Sequence, residues 1–232
     1  MSASSIRRRT WRAAGGLMAA GVMAAWAVLG PAGAASATTY AADWYGYAVT
    51  GATYTSTTAN WTVPTVSCTT SGTYVAIWTG LDGYSSDTAE QIGAEVYCAG
   101  TTAEYYGWYE LYPADPVEFS KTLKPGDSLQ ASVTYKSPDF TLTLRDVTQG
   151  WTQTATKAVS GAARSSAETV VQVPSTTPTC PAHTLAAFTG DTVDGSPLGS
   201  LHPVEGIGGN PDIIVSPVDG ETFTVSCRLA PP

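Results

Sequence analysis

Histidine and positive charge are the scarce commodities of this chain. Its 232 residues hold two histidines, His183 and His202, and eleven Lys and Arg against nineteen Asp and Glu. Four of the eleven, Arg7, Arg8, Arg9 and Arg12, lie close to the N-terminus, so from residue 38 onward the net charge is near −12. That balance argues against nucleic acid and anionic membranes as partners. It also suits work in acid, because protonated carboxyls would leave only a modest positive self-repulsion.

Other absences narrow the chemistry. There is no C-x-x-C, and Cys180-Pro181-Ala182-His183 stands alone as a Cys/His cluster, so neither a metal nor another cofactor is expected. No G-x-S-x-G elbow accompanies the two histidines, which disfavours a Ser-His-Asp hydrolase. The Asp-Thr-Gly or Asp-Ser-Gly of an aspartic protease is missing too; Asp191-Thr192-Val193 and Asp194-Gly195-Ser196 do not match it. No segment after the N-terminal region sustains a helical period of 3.6.

The N-terminal region reads as an export signal. A basic start, an apolar stretch from Ala13 to Leu29 and Ala35-Ser36-Ala37 as a small-residue cleavage site place the signal peptide at 1–37. The apolar stretch is short and rich in Ala and Gly for a membrane anchor. A secreted, extracellular protein is therefore expected, with residues 38–232 as a single domain acting as a monomer, free of the membrane once the signal is removed. Asn60-Trp61-Thr62 is a formal glycosylation sequon.

What is abundant is strand material. β-branched and aromatic residues broken by Gly, Pro, Ser and Asp predict strands at 45–50, 53–63, 73–81, 88–98, 101–112, 116–122, 128–135, 139–148, 167–173, 183–190, 212–216 and 222–228. So many strands in one domain predict an all-β, antiparallel β-sandwich. Cys68, Cys98, Cys180 and Cys227 lie in the exported part, where disulfides persist. Of three possible connectivities, Cys68–Cys98 with Cys180–Cys227 is expected, since each pair flanks neighbouring strand candidates.

Strand alternation sorts the polar residues. Ala167, Thr169, Val171 and Val173 share one face, and Glu168, Val170 and Gln172 share the other, which is the less apolar of the two. In 88–98, Gln91, Gly93, Glu95 and Tyr97 oppose Ile92, Ala94, Val96 and Cys98. Two strands thus present a carboxylate and an amide on polar faces. Trp44, Trp61, Trp78, Trp108, Tyr105, Tyr106, Tyr109 and Tyr112 gather near Glu104 and Glu110. Aromatics in strands are ordinary core residues, and as a group beside polar faces they also suit a cleft for an extended polymer.

Several stretches, in order, resemble the glutamic peptidases, the eqolisin or G1 family. They are Asp43-Trp44-Tyr45-Gly46, Thr58-Ala59-Asn60-Trp61-Thr62-Val63-Pro64, Trp78-Thr79-Gly80-Leu81-Asp82-Gly83, Glu90-Gln91-Ile92-Gly93, Trp108-Tyr109-Glu110-Leu111-Tyr112-Pro113 and Ser166-Ala167-Glu168-Thr169-Val170-Val171. The resemblance implies a jelly-roll, concanavalin A-like sandwich of two curved antiparallel sheets whose concave face takes a polypeptide substrate. It further implies a catalytic dyad of Gln91 and Glu168, with Trp44, Trp78, Asp82, Glu95, Trp108, Glu110 and Tyr112 lining or supporting the cleft. The chain departs from the family pattern at Thr169, where the family carries Trp, and at Gln172, where it carries an acid.

The residue types fit hydrolysis of a peptide bond. Ionised Glu168 takes a proton from a water held between it and Gln91 and returns it to the leaving nitrogen, while Gln91 steadies the oxyanion. A carboxylate of ordinary pKa, about 4, predicts activity at acid pH. Two rival readings are a sugar-binding, lectin-like sandwich and a glycoside hydrolase using two of Glu95, Glu104, Glu110 and Glu168. Asp82 also has a simple reading as a turn residue before Gly83.

Overall fold

The computed structural model describes residues 43–84, 86–174, 182, 184–206 and 208–228. The alternating runs become strands β1 (Trp44–Thr50), β2 (Ser56–Thr62), β3 (Tyr74–Asp82), β4 (Ala89–Ala99), β5 (Thr102–Tyr112), β6 (Val117–Thr122), β7 (Ser128–Lys136) and β8 (Asp139–Asp146). They continue as β9 (Trp151–Ala158), β10 (Ser166–Gln172), β11 (Thr184–Val193) and β12 (Ser196–Pro197), then a 3-10 turn at Leu198–Leu201, β13 (Val204–Gly206), β14 (Ile213–Val215) and β15 (Phe223–Cys227).

Two antiparallel sheets result, ordered β13-β1-β10-β3-β4-β5-β6 and β14-β15-β11-β2-β7-β8-β9. Between them lies one apolar core. Ile77, Leu81, Ile92, Val96 and Val171 from the first sheet meet Leu129, Val133, Phe140, Leu142 and Phe188 from the second. Each such side chain contributes about 1.5–3 kcal/mol when fully buried. The β-sandwich expected from the strand pattern is therefore the fold. Cys68–Cys98 is bridged and ties the segment before β3 to the end of β4, with Cα atoms 5.4 Å apart. Cys180 lies outside the described residues, and with it the expected partner of Cys227.

Two sequence expectations need correction. Strand β9 was not anticipated, although it pairs with β8 over eight residues. It is an edge strand, and Trp-Thr-Gln-Thr-Ala-Thr-Lys-Ala buries only Ala155, so no apolar face marks it. Its adhesion is polar: Thr143 and Thr154, and Thr141 and Thr156, bring their hydroxyls to 3.3 Å. The second correction concerns the supposedly polar face of the first sheet, which is largely buried. Trp78, Trp108, Ala76 and Val170 form a second apolar cluster there, with Trp44, Tyr74 and Tyr106 packed against it.

Candidate active site

Register decides what meets on that outer face. Glu168 on β10 is level with Gly80 on β3, Gly80 with Gln91 on β4, and Gln91 with Glu110 on β5. Four strands thus carry one transverse row. Strands are spaced about 4.8 Å, so the backbones of Glu168 and Gln91 are roughly 10 Å apart. The residue between them has no side chain, which leaves space above the sheet bounded by a carboxyl on one side and an amide on the other. The next row on the same face is Val170, Trp78, Gly93 and Trp108, and the one beyond it is Gln172, Ala76, Glu95 and Tyr106.

Glu168 is only 1% exposed. Burial raises its pKa well above the ordinary glutamate value; Asp82 and Glu90 add to the rise, and the Ser166 hydroxyl and the Tyr84 backbone oppose it. A carboxyl of ordinary pKa was the expectation, and the structure differs because the side chain is buried. Gly83, just after β3, lies close to Trp44: a Cβ built on it would lie 3.5 Å from the indole Cη2.

Gln91, half-buried, donates its Nε2 to Glu110 Oε2. The bond fixes which way the amide points. Its Oε1 finds no donor among the described residues. Glu110 is itself buried, and burial pushes its pKa to about 7 against the lowering effect of the Gln91 bond. Glu110 is thus the acceptor that orients Gln91.

The remaining expected residues divide by position. Trp78 is fully buried and Trp108 nearly so, and Trp44 stands edge-on to Trp78 with ring centroids 4.8 Å apart, so the three indoles form the floor of the face. Glu95, 2% exposed, accepts from the Tyr106 hydroxyl one row further on. Tyr112 sits two residues beyond Glu110 and borders a cavity of about 530 Å³ at the sheet edge, lined also by Thr88, Leu111, Lys157 and Val159.

Asp82 takes a supporting position. It is fully buried at φ 62°, and its carboxylate accepts the backbone N–H of Arg164 at 2.5 Å and of Ser165 at 2.8 Å, as well as the hydroxyl of Ser165 at 3.1 Å. Those residues lead directly into β10. Asp82 therefore sets where the strand bearing Glu168 begins.

Sequence reasoning missed two features. Gly80 was legible as the Gly of Trp-Thr-Gly-Leu-Asp-Gly, and its importance appears only when β3 is known to lie between β4 and β10. Glu90 points into the core with no exposure, and neither of its carboxyl oxygens is hydrogen-bonded among the described residues. Its parity with Ile92 and Ala94 was the signal for that face.

The fold is an all-β sandwich of two antiparallel sheets with a buried glutamate and an oriented glutamine across a glycine on one outer face. Residues 42–196 match the model of the Peptidase A4 family, and the chain belongs to that family of glutamic peptidases. It is similar to aspergillopepsin-2 of Aspergillus niger, 31% identical over 144 residues, which are 53% of this chain and 50% of the relative. The chain thus spans about half the length of that curated relative. Among solved structures, scytalido-glutamic peptidase, captured with a transition state analog inhibitor, is 26% identical with a TM-score of 0.66, covering 82% of this chain and 100% of its own. Aspergilloglutamic peptidase from Aspergillus niger is 25% identical with a TM-score of 0.56, covering 66% of this chain and 98% of its own.

Proposed function

We propose that this protein is a secreted endopeptidase that cleaves polypeptides with a Glu168/Gln91 dyad. The observation that carries the reading is the row Glu168, Gly80, Gln91, Glu110. Family membership and the likeness to a peptidase solved with a transition state analog support it.

The chemistry follows from what each group can donate and accept. A water above Gly80 gives one hydrogen to Glu168 and the other to Gln91 Oε1, which is free to accept it. Ionised Glu168 takes the proton as the water oxygen bonds to the substrate carbonyl carbon. One hydrogen of the Gln91 amide is held by Glu110, and the second is available to the oxyanion. As the C–N bond breaks, Glu168 gives its proton to the departing nitrogen. Trp44, the partly exposed indole of the three, supplies flat apolar contact for a substrate side chain, and Trp78 and Trp108 support it from beneath.

Both limbs of the pH profile have physical sources. Glu168 must ionise, and its raised pKa moves the ascending limb above the ordinary glutamate range. On the other side Glu90, at about 8, ionises inside the protein with neither carboxyl oxygen hydrogen-bonded among the described residues, which loosens the site. Activity therefore needs Glu168 ionised and Glu90 neutral.

The test is hydrolysis of denatured protein by the purified chain from about pH 2 to about pH 8, comparing wild type with Glu168→Gln and Gln91→Ala. Loss of cleavage in both variants is expected. Undiminished cleavage in either removes the dyad, and polysaccharide binding without peptide cleavage at any pH would restore the lectin-like alternative.

A further inference from the structure

Beneath the catalytic row, on the core side of the same strands, lies a set of side chains that the proposed chemistry does not use. Thr169 of β10, Thr79 of β3, Thr57 of β2 and Asp191 of β11 are all buried, at 1% exposure or less. They link the two sheets through four oxygen–oxygen contacts. Asp191 Oδ1 lies 3.2 Å from Thr169 Oγ1, Thr169 Oγ1 lies 3.1 Å from Thr79 Oγ1, Thr57 Oγ1 lies 2.8 Å from Thr79 Oγ1, and Thr79 Oγ1 donates to the backbone carbonyl of Glu168 at 2.9 Å.

Counting hydrogens decides the state of this cluster. Each contact needs one, and three hydroxyls supply three. The fourth can come only from a protonated Asp191, which then donates to Thr169, Thr169 to Thr79, Thr57 to Thr79, and Thr79 to Glu168. With Asp191 ionised, Thr169 turns its hydrogen toward the carboxylate. Thr79 keeps its own on the Glu168 carbonyl, and the contact between β3 and β10 is left as two oxygens with no hydrogen between them.

We propose that Asp191 is a positioning residue for the catalytic strand: its proton completes a hydrogen-bond chain through Thr169 and Thr79 to the Glu168 carbonyl, and its ionisation breaks that chain. The surroundings agree. Asp191 Oδ2 has no hydrogen-bond partner among the described residues, so an ionised carboxylate would be poorly satisfied there. Burial pushes the carboxyl to about 8, with Glu221 the charged side chain raising it further and the Thr169 hydroxyl opposing. Glu221 belongs to the segment before β15, and its carbonyl also takes the Asp191 N–H at 3.1 Å. The groups met from β2, β3 and β10 are threonine hydroxyls, none of which titrates.

Two measurements test it. The first is the unfolding free energy against pH, which needs no activity. Asp191 binds a proton in the folded state up to about 8 and only up to its ordinary 3.8 when unfolded, so wild-type stability falls as pH rises between those values. Asp191→Asn supplies a permanent N–H donor, and its slope over that window is expected to be shallower by about one proton. A slope equal to wild type overturns the proposal.

Should the Asn variant not fold, Thr169→Val and Thr169→Ser decide. Val cuts the chain and is expected to lower stability in acid, where the chain is complete, whereas Ser keeps it. Equal behaviour of Val and wild type overturns the proposal. The second measurement rests on the peptidase reading: Asp191→Asn should move the descending limb of kcat toward higher pH with KM unchanged. An unmoved limb in an active enzyme counts against the positioning role. Absence of all peptidase activity would instead defeat the proposed function and leave the stability result to decide.

Discussion

Glu168 and Gln91 are level with each other on the two strands that flank β3, and the residue between them is Gly80. The pair comes from segments far apart in the chain, and a bare backbone at the middle position keeps the gap open. Any side chain there would occupy the space in which, on the proposed mechanism, a water and a scissile carbonyl meet.

Replacing Gly80 with Ala tests this directly. The added Cβ would stand 2.9 Å from Gln91 Cβ and 3.1 Å from the Glu90 carbonyl oxygen, so Gln91 must shift. Overpacking of this kind costs about 1–3 kcal/mol, and kcat is expected to fall at least about tenfold. Activity and a thermal melt on the same preparation separate the two effects; an unchanged kcat would mean that the gap above Gly80 is not where reaction occurs.

Glu110 holds the Gln91 amide. Its removal in Glu110→Ala should free Gln91 to rotate and lower kcat about 10- to 100-fold. Glu110→Gln keeps an acceptor oxygen and should retain most activity in acid while deleting a titration near 7 from the pH profile. Steady-state kinetics across pH would expose the difference, and equal losses in both variants would contradict an orienting role.

Glu90 is a liability above acid pH. Its folded pKa of about 8 exceeds the ordinary 4.5, so its contribution is complete below about 4.5 and is lost as pH rises toward 8. Glu90→Leu, which removes an unsatisfied buried carboxyl, is expected to raise stability at pH 8 by about 1–3 kcal/mol and to change it less in acid. Urea denaturation at both pH values checks the sign.

The Cys68–Cys98 bridge closes a loop with a sequence separation of 30. Replacing both cysteines with Ser should cost about 3–4 kcal/mol by releasing the unfolded chain. Chemical denaturation reads this value, and a loss under about 1 kcal/mol would show that the segment before β3 is held by packing alone.

Much of this was legible beforehand, for reasons that particular residues make plain. The alternation that put Glu168 opposite Thr169, and Gln91 opposite Ile92, was correct because side-chain direction in a strand follows from the pleat of a few residues. Strand β9 escaped because an edge strand with hydroxyl pairs carries no apolar stripe. The reading of Glu168 as an ordinary carboxyl failed because its pKa is raised chiefly by burial, with Asp82 and Glu90 adding to it, and all of these come from other segments.

From sequence alone followed the all-β class, the acidic character, which side chains share a face on two strands, and the candidate pair, since composition and a period of two are local properties. Tertiary structure decided that β3 lies between β10 and β4, that Gly80 falls between the pair, and that Glu110 orients Gln91. It also placed Asp191, from the opposite sheet, under the strand that carries Glu168. Those facts depend on pairing between residues as distant as Gly80 and Glu168, and on burial that only the closed sandwich creates.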